Sequence, residues 1–306
     1  MSDTKGALLK LIYDSKALSI WNRTTGPVFW YIAGVPGPFY INTEQMIGRD
    51  LAEGLLKNID AILARTKDAA TRSQALEELI LAAYTKTPVY SEIVAVMVAE
   101  AKKSFSAGSY SFVSGGERRD WLFSIPFARE IDIKHAFLFK NLDIHCPDGL
   151  RAGETSLHVA DLINNAASYF DLWFPALEKA GLKCVGTVCI NSRGTHGVDK
   201  LKAHGEKVLA LNAIELDFFK QSLESGLIDQ ATYDEIALHF TSPKEWGVKY
   251  LIGNAALFDV AHADKKSFER IKSFVEHDPW QLREAHPGFF DDMQAAIEKR
   301  PKGAAA

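Results

Sequence analysis

Apolar and polar positions change rhythm twice along this chain. Residues 8–18 repeat at helical spacing, and two aromatic, β-branched runs follow at 28–32 and 39–42, separated by Gly34-Val35-Pro36-Gly37-Pro38. Glycine and proline between such runs predict a hairpin, with Thr43 as cap of a helix over 44–63. Helical spacing returns over 72–83 and 88–103, where Pro88 suits a first turn. In the middle, apolar strand candidates at 110–113, 136–139, 157–160, 185–190 and 208–211 alternate with helices or loops, the rhythm of a parallel sheet. Between the third and fourth, residues 166–180 place Phe170, Trp173, Phe174 and Leu177 on one helical stripe, and Gly181 supplies the stop. A helix over 198–204 ends likewise at Gly205. Beyond Glu215 the spacing is helical again, over 218–223, 230–239, 244–257, 265–275 and 289–298, and the terminal residues 302–306 are expected to fray.

Composition narrows the partners more than the fold. At 306 residues the chain exceeds the usual size of one domain, and 47% hydrophobic with 24% charged residues is ordinary for a globular protein. A net charge of -4 supplies no basic face by bulk count, so neither nucleic acid nor an anionic membrane is expected as partner. No window reaches the roughly 18 apolar residues of a membrane span, and no leader is evident, so a cytoplasmic setting is expected. Cys146, Cys184 and Cys189 are odd in number and form no CxxC pair, which argues for core thiols in a reducing compartment and against a thiolate metal site. The odd spacing of Cys184 and Cys189 on one strand predicts opposite faces.

Two loops carry candidate chemistry. In 156–168 an apolar strand ends at Asp161, and the small polar turn Asn164-Asn165-Ala166-Ala167-Ser168 opens a helix. A helix start offers unpaired N–H groups and the positive end of the macrodipole, which suits phosphate, while Asp161 could accept ribose hydroxyls. An asparagine that only caps the helix, with Asp161 as a turn acid, fits the same pattern equally well. The second loop follows a strand into Ser114-Gly115-Gly116 and then Arg118-Arg119, where glycines permit close backbone approach and guanidinium forks suit pyrophosphate. A surface turn with a solvated charge run is the plain alternative. Both loops fall at carboxyl ends of predicted parallel strands, where open α/β sheets bind ligands.

From about residue 8 to 216 the order of segments resembles the orotate phosphoribosyltransferases, members of the type I phosphoribosyltransferase family. Pro38-Phe39-Tyr40-Ile41-Asn42 is similar to the family's aromatic hairpin strand, and Gly48-Arg49-Asp50-Leu51-Ala52 to the helix after it. Residues 114–121 resemble the pyrophosphate loop, Phe139-Lys140 the strand end before the mobile loop, and 158–168 the phosphoribosyl-diphosphate signature. Gly186-Thr187-Val188-Cys189-Ile190-Asn191-Ser192-Arg193 is similar to the next strand, whose terminal arginine contacts the orotate carboxylate in that family.

The resemblance implies an α/β fold, a parallel sheet flanked by helices. It divides the chain into a hood-like region (1–56), a helical insertion (57–103), the α/β core (104–216) and a C-terminal helical extension (217–306). It implies transfer of a ribosyl 5-phosphate from phosphoribosyl diphosphate to orotate or a related pyrimidine in a homodimer, with magnesium carried on the pyrophosphate and no metal ligands of the protein's own. Asp161 and Lys140 would be catalytic, Asn164 to Ser168 would cradle the 5-phosphate, and Ser114, Gly115, Gly116, Arg118 and Arg119 would hold pyrophosphate. Arg193, Phe39 and Tyr40 would contact the base. The chain departs from the family where Ala160 replaces the first of two adjacent acids and Asn164-Asn165-Ala166 replaces a Thr-Thr-Gly turn. The hairpin lysine is replaced by Ile32 or Ala33. The loop over 141–156 is short and lysine-free, leaving only Arg151 or His145 as its basic residue. A non-catalytic binding or regulatory protein on the same fold is the second reading.

Overall fold

The computed structural model of the chain describes residues 2–22, 28–253 and 263–299. The chain opens with α1 (Ser2–Asp14) and four short strands, β1 (Leu18–Ile20), β2 (Phe29–Trp30), β3 (Pro36–Gly37) and β4 (Phe39–Ile41). A 3-10 turn (Thr43–Ile47) leads into α2 (Arg49–Arg65), α3 (Ala69–Tyr84) and α4 (Pro88–Ser104). The α/β region follows as β5 (Phe112–Gly116), α5 (Trp121–Glu130), β6 (His135–Leu138), β7 (Ile144–His145), β8 (Thr155–Ile163), a π-helical turn (Tyr169–Trp173) continued by α6 (Phe174–Lys179), β9 (Lys183–Ser192), α7 (His196–Ala203) and β10 (Lys207–Ala213). Helices α8 (Leu216–Glu224), α9 (Gln230–Thr241), α10 (Pro243–Gly253), α11 (Lys265–His277) and α12 (Pro287–Lys299) complete it. The predicted frayed end, 302–306, and the end of the helix expected over 244–257 lie outside the described residues.

The chain forms two compact units, residues 1–17 with 42–218 and residues 18–41 with 219–306. This division differs from the four regions expected from the sequence. The short strands group with the C-terminal helices through two aromatic contacts: Val28 and Trp30 pack with Trp246, Tyr250, Phe274 and Phe290, and Phe39 packs on Phe219 and Phe240. Nor do the two aromatic runs pair with each other. β2 pairs antiparallel with β3 and β4 with β1, so Pro36-Gly37, read as turn, is itself strand.

The first unit is built on a six-stranded sheet in the order β10-β9-β8-β5-β6-β7, parallel except for the β6–β7 pair. All five predicted strands are present, and all but β6 run longer than expected, because main-chain pairing continues past the apolar positions that betray a strand. From β5 the chain moves to β6 on one side and later to β8 on the other. The β5/β8 boundary is therefore the point where strand order reverses, the place where open α/β sheets leave a crevice.

Helix α5 lacks a polar face: Trp121 through Ala128 are all buried. Its Pro126 has no N–H to give the carbonyl four residues earlier, and the buried Tyr90 hydroxyl donates to that Leu122 carbonyl instead. Thr43 is not the cap expected of it. Its hydroxyl accepts from the amide of buried Asn191 at 3.0 Å, and Asn191 in turn accepts from Asn212 at 3.3 Å. The three cysteines are buried free thiols, as expected. Cys184 and Cys189 nonetheless share one core cluster, because an irregularity in the β8–β9 register beside Cys184 and Gly186 undoes the odd spacing.

Candidate functional site

A cavity of about 330 Å³ opens at the carboxyl ends of β5 and β8, near the lower end of the range for sites that hold small organic ligands. On one side it is lined by Glu117, Arg118, Arg119 and Asp120 after β5, with Lys140 after β6. On the other it is lined by residues 160–169 and by Trp173. The two loops singled out in the sequence thus meet in one cavity.

The turn after β8 is shaped by its two asparagines and Ala166. Asn165 Oδ1 accepts the N–H of Ala167 at 3.0 Å within the turn, and the π-helical turn that follows has Ser168 at its N-cap with no side-chain cap, so neither asparagine caps it. Ala166 is buried at φ 58°, the left-handed region that glycine occupies without a Cβ penalty. Asn164, Asn165 and Ser168 are exposed around it. The turn is braced from behind by Gly197 at the start of α7, where a Cβ would come within 2.2 Å of the Asn164 carbonyl oxygen.

Asp161 ends up almost fully buried, not in a solvated turn. Burial raises its pKa well above the usual carboxylate range, and the neighbouring Asp120 pushes it further the same way while Arg119 opposes. Its Oδ2 has no N–H or O–H donor. A proton on Asp161 relieves both the desolvation and the repulsion. Ala160, in place of a first acid, belongs to the apolar cluster beneath the turn, where a second carboxylate would be desolvated as well.

Each predicted pyrophosphate cation already has an acidic partner. Arg118 pairs with Asp60 of α2, Arg119 Nε lies 3.7 Å from Glu44, and Lys140 Nζ lies 3.8 Å from Glu117. Glu44 is buried, and its Oε2 has no hydrogen-bond partner. The glycines of this loop serve packing. A Cβ on Gly115 would lie 2.0 Å from Ser124 Oγ, and one on Gly116 would lie 2.3 Å from the Trp173 ring, so the space they leave is filled by side chains rather than left for a ligand. Ser114 is fully buried and bonds His158 Nδ1 at 3.0 Å, and His158 Nε2 lies 3.4 Å from Asp120 Oδ2. That chain has the connectivity of a serine nucleophile with its base and acid. Ser114, however, has no exposed surface, so it cannot reach a substrate carbonyl.

Arg193 closes β9, with its N–H on the Ile163 carbonyl at 2.8 Å, but it is not among the residues lining the cavity. Phe39 and Tyr40 belong to the second unit, where Phe39 packs on Phe219 and Phe240 and Tyr40 on Phe29. Arg151 donates its N–H to Glu154 at 3.0 Å and lies in a turn, while His145 is in β7 against Phe137. Sequence reading missed Asp120. Its carboxylate accepts the N–H of Gly116 at 3.1 Å and that of Asp161 at 3.2 Å. No periodicity marks it, since it closes the charged run Glu117-Arg118-Arg119-Asp120 and reads there as solvated.

No protein-family model matches the chain, and no curated protein matches it. Solved structures do. The UMP synthase of Leishmania donovani superposes with a TM-score of 0.54 at 12% identity over 77% of this chain, and the chain spans only 42% of that protein. The orotate phosphoribosyltransferase of Francisella tularensis covers 75% of this chain and 91% of its own at 13% identity and TM-score 0.47. That of Mycobacterium tuberculosis, in complex with inorganic phosphate, covers 69% and 96% at 14% identity and TM-score 0.43. Such identities speak to fold alone, and the weight falls on the first of these likenesses together with the strand order and the crevice it creates. By that architecture the chain has a type I phosphoribosyltransferase-like fold.

Proposed function

We propose that the chain is a phosphoribosyltransferase that moves the ribosyl 5-phosphate of phosphoribosyl diphosphate onto orotate or a related pyrimidine. The observation that carries this reading is the single cavity lined by both the Arg118-Arg119 loop and the Asn164 to Ser168 turn, at the sheet's switch point. In this reading the helix start at Ala167 and the exposed Asn164 and Ser168 receive the 5-phosphate. Arg118, Arg119 and Lys140 exchange their carboxylate partners for pyrophosphate oxygens as the bond to the sugar lengthens, and Asp161 holds the ribose hydroxyls. Positioning and charge neutralisation lower the barrier, with no covalent intermediate on the protein.

Magnesium belongs here as cargo on the ligand's pyrophosphate, where it would neutralise the leaving group. Among the described residues no group of three or more His, Cys, Asp or Glu could hold an ion by itself, and Asp161 Oδ2 is the hard oxygen that fits one arriving with ligand. Arg193 is proposed to read the base carboxylate. The homodimer and the cytoplasmic setting belong to the same proposal. No helix among the described residues is long and apolar enough to cross a membrane.

A second reading, a binding or regulatory protein that performs no transfer, is favoured by the acidic partner that every pyrophosphate cation already has. Incubation with phosphoribosyl diphosphate, magnesium and orotate, followed by assay of released pyrophosphate, separates the two. Pyrophosphate dependent on orotate upholds transfer, whereas ligand binding with no release upholds the second reading. In the transfer case Arg193→Ala should lose orotate about thirtyfold, a contact of on the order of 2 kcal/mol, and keep phosphoribosyl diphosphate.

A further inference from the structure

The two strands that flank the crevice stop pairing below the level at which the ligand would sit. β5 pairs with β8 at Phe112↔Ser156, Val113↔Leu157 and Ser114↔His158. Above that, Gly115 and Gly116 pair with Phe137 and Leu138 of β6, while 159–163 pair with β9. The strands therefore part, as they must at a switch point, and their pairing with each other ends at Ser114 and His158.

The Asp120 side chain spans that gap. One carboxylate oxygen accepts the N–H of Gly116 at 3.1 Å, and the other accepts the N–H of Asp161 at 3.2 Å. The residues immediately beyond these amides, Glu117 to Arg119 on one side and Leu162 to Ser168 on the other, are those that line the cavity. The Asp120 backbone is fixed independently, since its carbonyl accepts the N–H groups of Phe123 and Ser124 at 2.9 and 2.8 Å in the first turn of α5. A carboxylate anchored to a buried helix and bonded by charge-assisted contacts to both strand ends holds them at one spacing.

We propose that Asp120 is a positioning residue that sets the distance between the two loops and thereby the fit of a phosphorylated ligand. This rests on the reading of the cavity as an anion site. Shortening the side chain in Asp120→Ala removes both acceptors. Asp120→Asn is isosteric and keeps one acceptor oxygen, so it should rescue in part.

The test measures two things on full-length protein at a temperature where each variant is folded by circular dichroism: amide hydrogen exchange, and affinity for inorganic pyrophosphate. Asp120→Ala should speed exchange at Gly116 and Asp161 at least tenfold, leave Val188 and Leu209 in β9 and β10 unchanged, and weaken pyrophosphate at least tenfold. Asp120→Asn should fall between it and the parent in both. Unchanged exchange at Gly116 and Asp161 in either folded variant overturns the link. Fast exchange with pyrophosphate affinity within twofold of the parent overturns the positioning role. Failure of the parent itself to bind pyrophosphate or phosphoribosyl diphosphate overturns the anion reading and the ligand part of this proposal, while the exchange data still decide whether Asp120 joins the strands.

Discussion

Arg119 and Glu44 face each other across 3.7 Å, the arginine half exposed and the glutamate almost wholly buried. The pair neutralises one of the cations on which pyrophosphate binding would depend. A partly exposed ion pair is worth about 0–1 kcal/mol, so an anion of higher charge density can displace it. Glu44→Gln should therefore tighten pyrophosphate about two- to fivefold, read by calorimetric titration. Unchanged or weaker binding would mean that Glu44 does not compete with the ligand for Arg119.

Asp161 should destabilise the ligand-free protein at neutral pH. Burial and then Asp120 raise its folded pKa well above the 3.8 of an ordinary aspartate, so the folded state keeps a proton that the unfolded chain releases. Its contribution to stability is full below the unfolded pKa and is lost as pH rises through the folded one. Asp161→Asn, which needs no proton, should raise Tm at pH 7.5, and the gain should shrink toward pH 4. A lower Tm for the variant at both pH values would show a stabilising carboxylate instead.

His135 titrates in the opposite sense. Burial first, then His158, lowers its pKa from 6.5 to about 3, and its Nε2 is paired with Ser124 Oγ at 2.9 Å. The unfolded chain takes up a proton near pH 6.5 that the folded chain refuses. The stability this neutral ring supplies is thus complete above pH 6.5 and falls as pH drops toward 3, by on the order of 3 kcal/mol between pH 7 and 4. Urea unfolding of the parent and His135→Gln at both pH values should show a smaller pH loss in the variant. Equal losses would place the proton elsewhere.

At Ala166 opposing terms nearly cancel. The left-handed backbone costs a residue with a Cβ about 1–2 kcal/mol, while glycine would lose roughly 0.5–1 kcal/mol in chain entropy and about 0.8 kcal/mol from the missing buried methyl. Ala166→Gly should stay within about 1 kcal/mol of the parent, whereas Ala166→Val, crowded at positive φ, should lose at least about 2 kcal/mol. Chemical unfolding of both variants checks this, and a well-tolerated valine would contradict the assigned backbone.

The sheet was legible in the sequence because its strands are buried and apolar, and parallel pairing then followed from the alternation with helices, whereas the strand order came only from the structure. What stayed hidden depends on partners distant along the chain. Asp120 bonds an amide 41 residues away, Thr43 meets an asparagine 148 residues away, and Trp30 of β2 is buried among the aromatics of helices near the C-terminus. α5 escaped detection because its residues are apolar on every side and carry a proline, so there was no period to read. Gly115 and Gly116 were read as places where a ligand approaches the backbone, and what approaches them is Ser124 and Trp173.

The central claim is that the crevice between β5 and β8 takes a phosphorylated ligand, and calorimetric titration of the parent and Arg119→Ala with phosphoribosyl diphosphate and magnesium tests it most directly. The parent should bind saturably and one-to-one, and the variant at least tenfold more weakly, from loss of a charge-assisted contact of roughly 1.5–3 kcal/mol. No heat and no shift in Tm with the parent, or equal affinity in the two proteins, would contradict it.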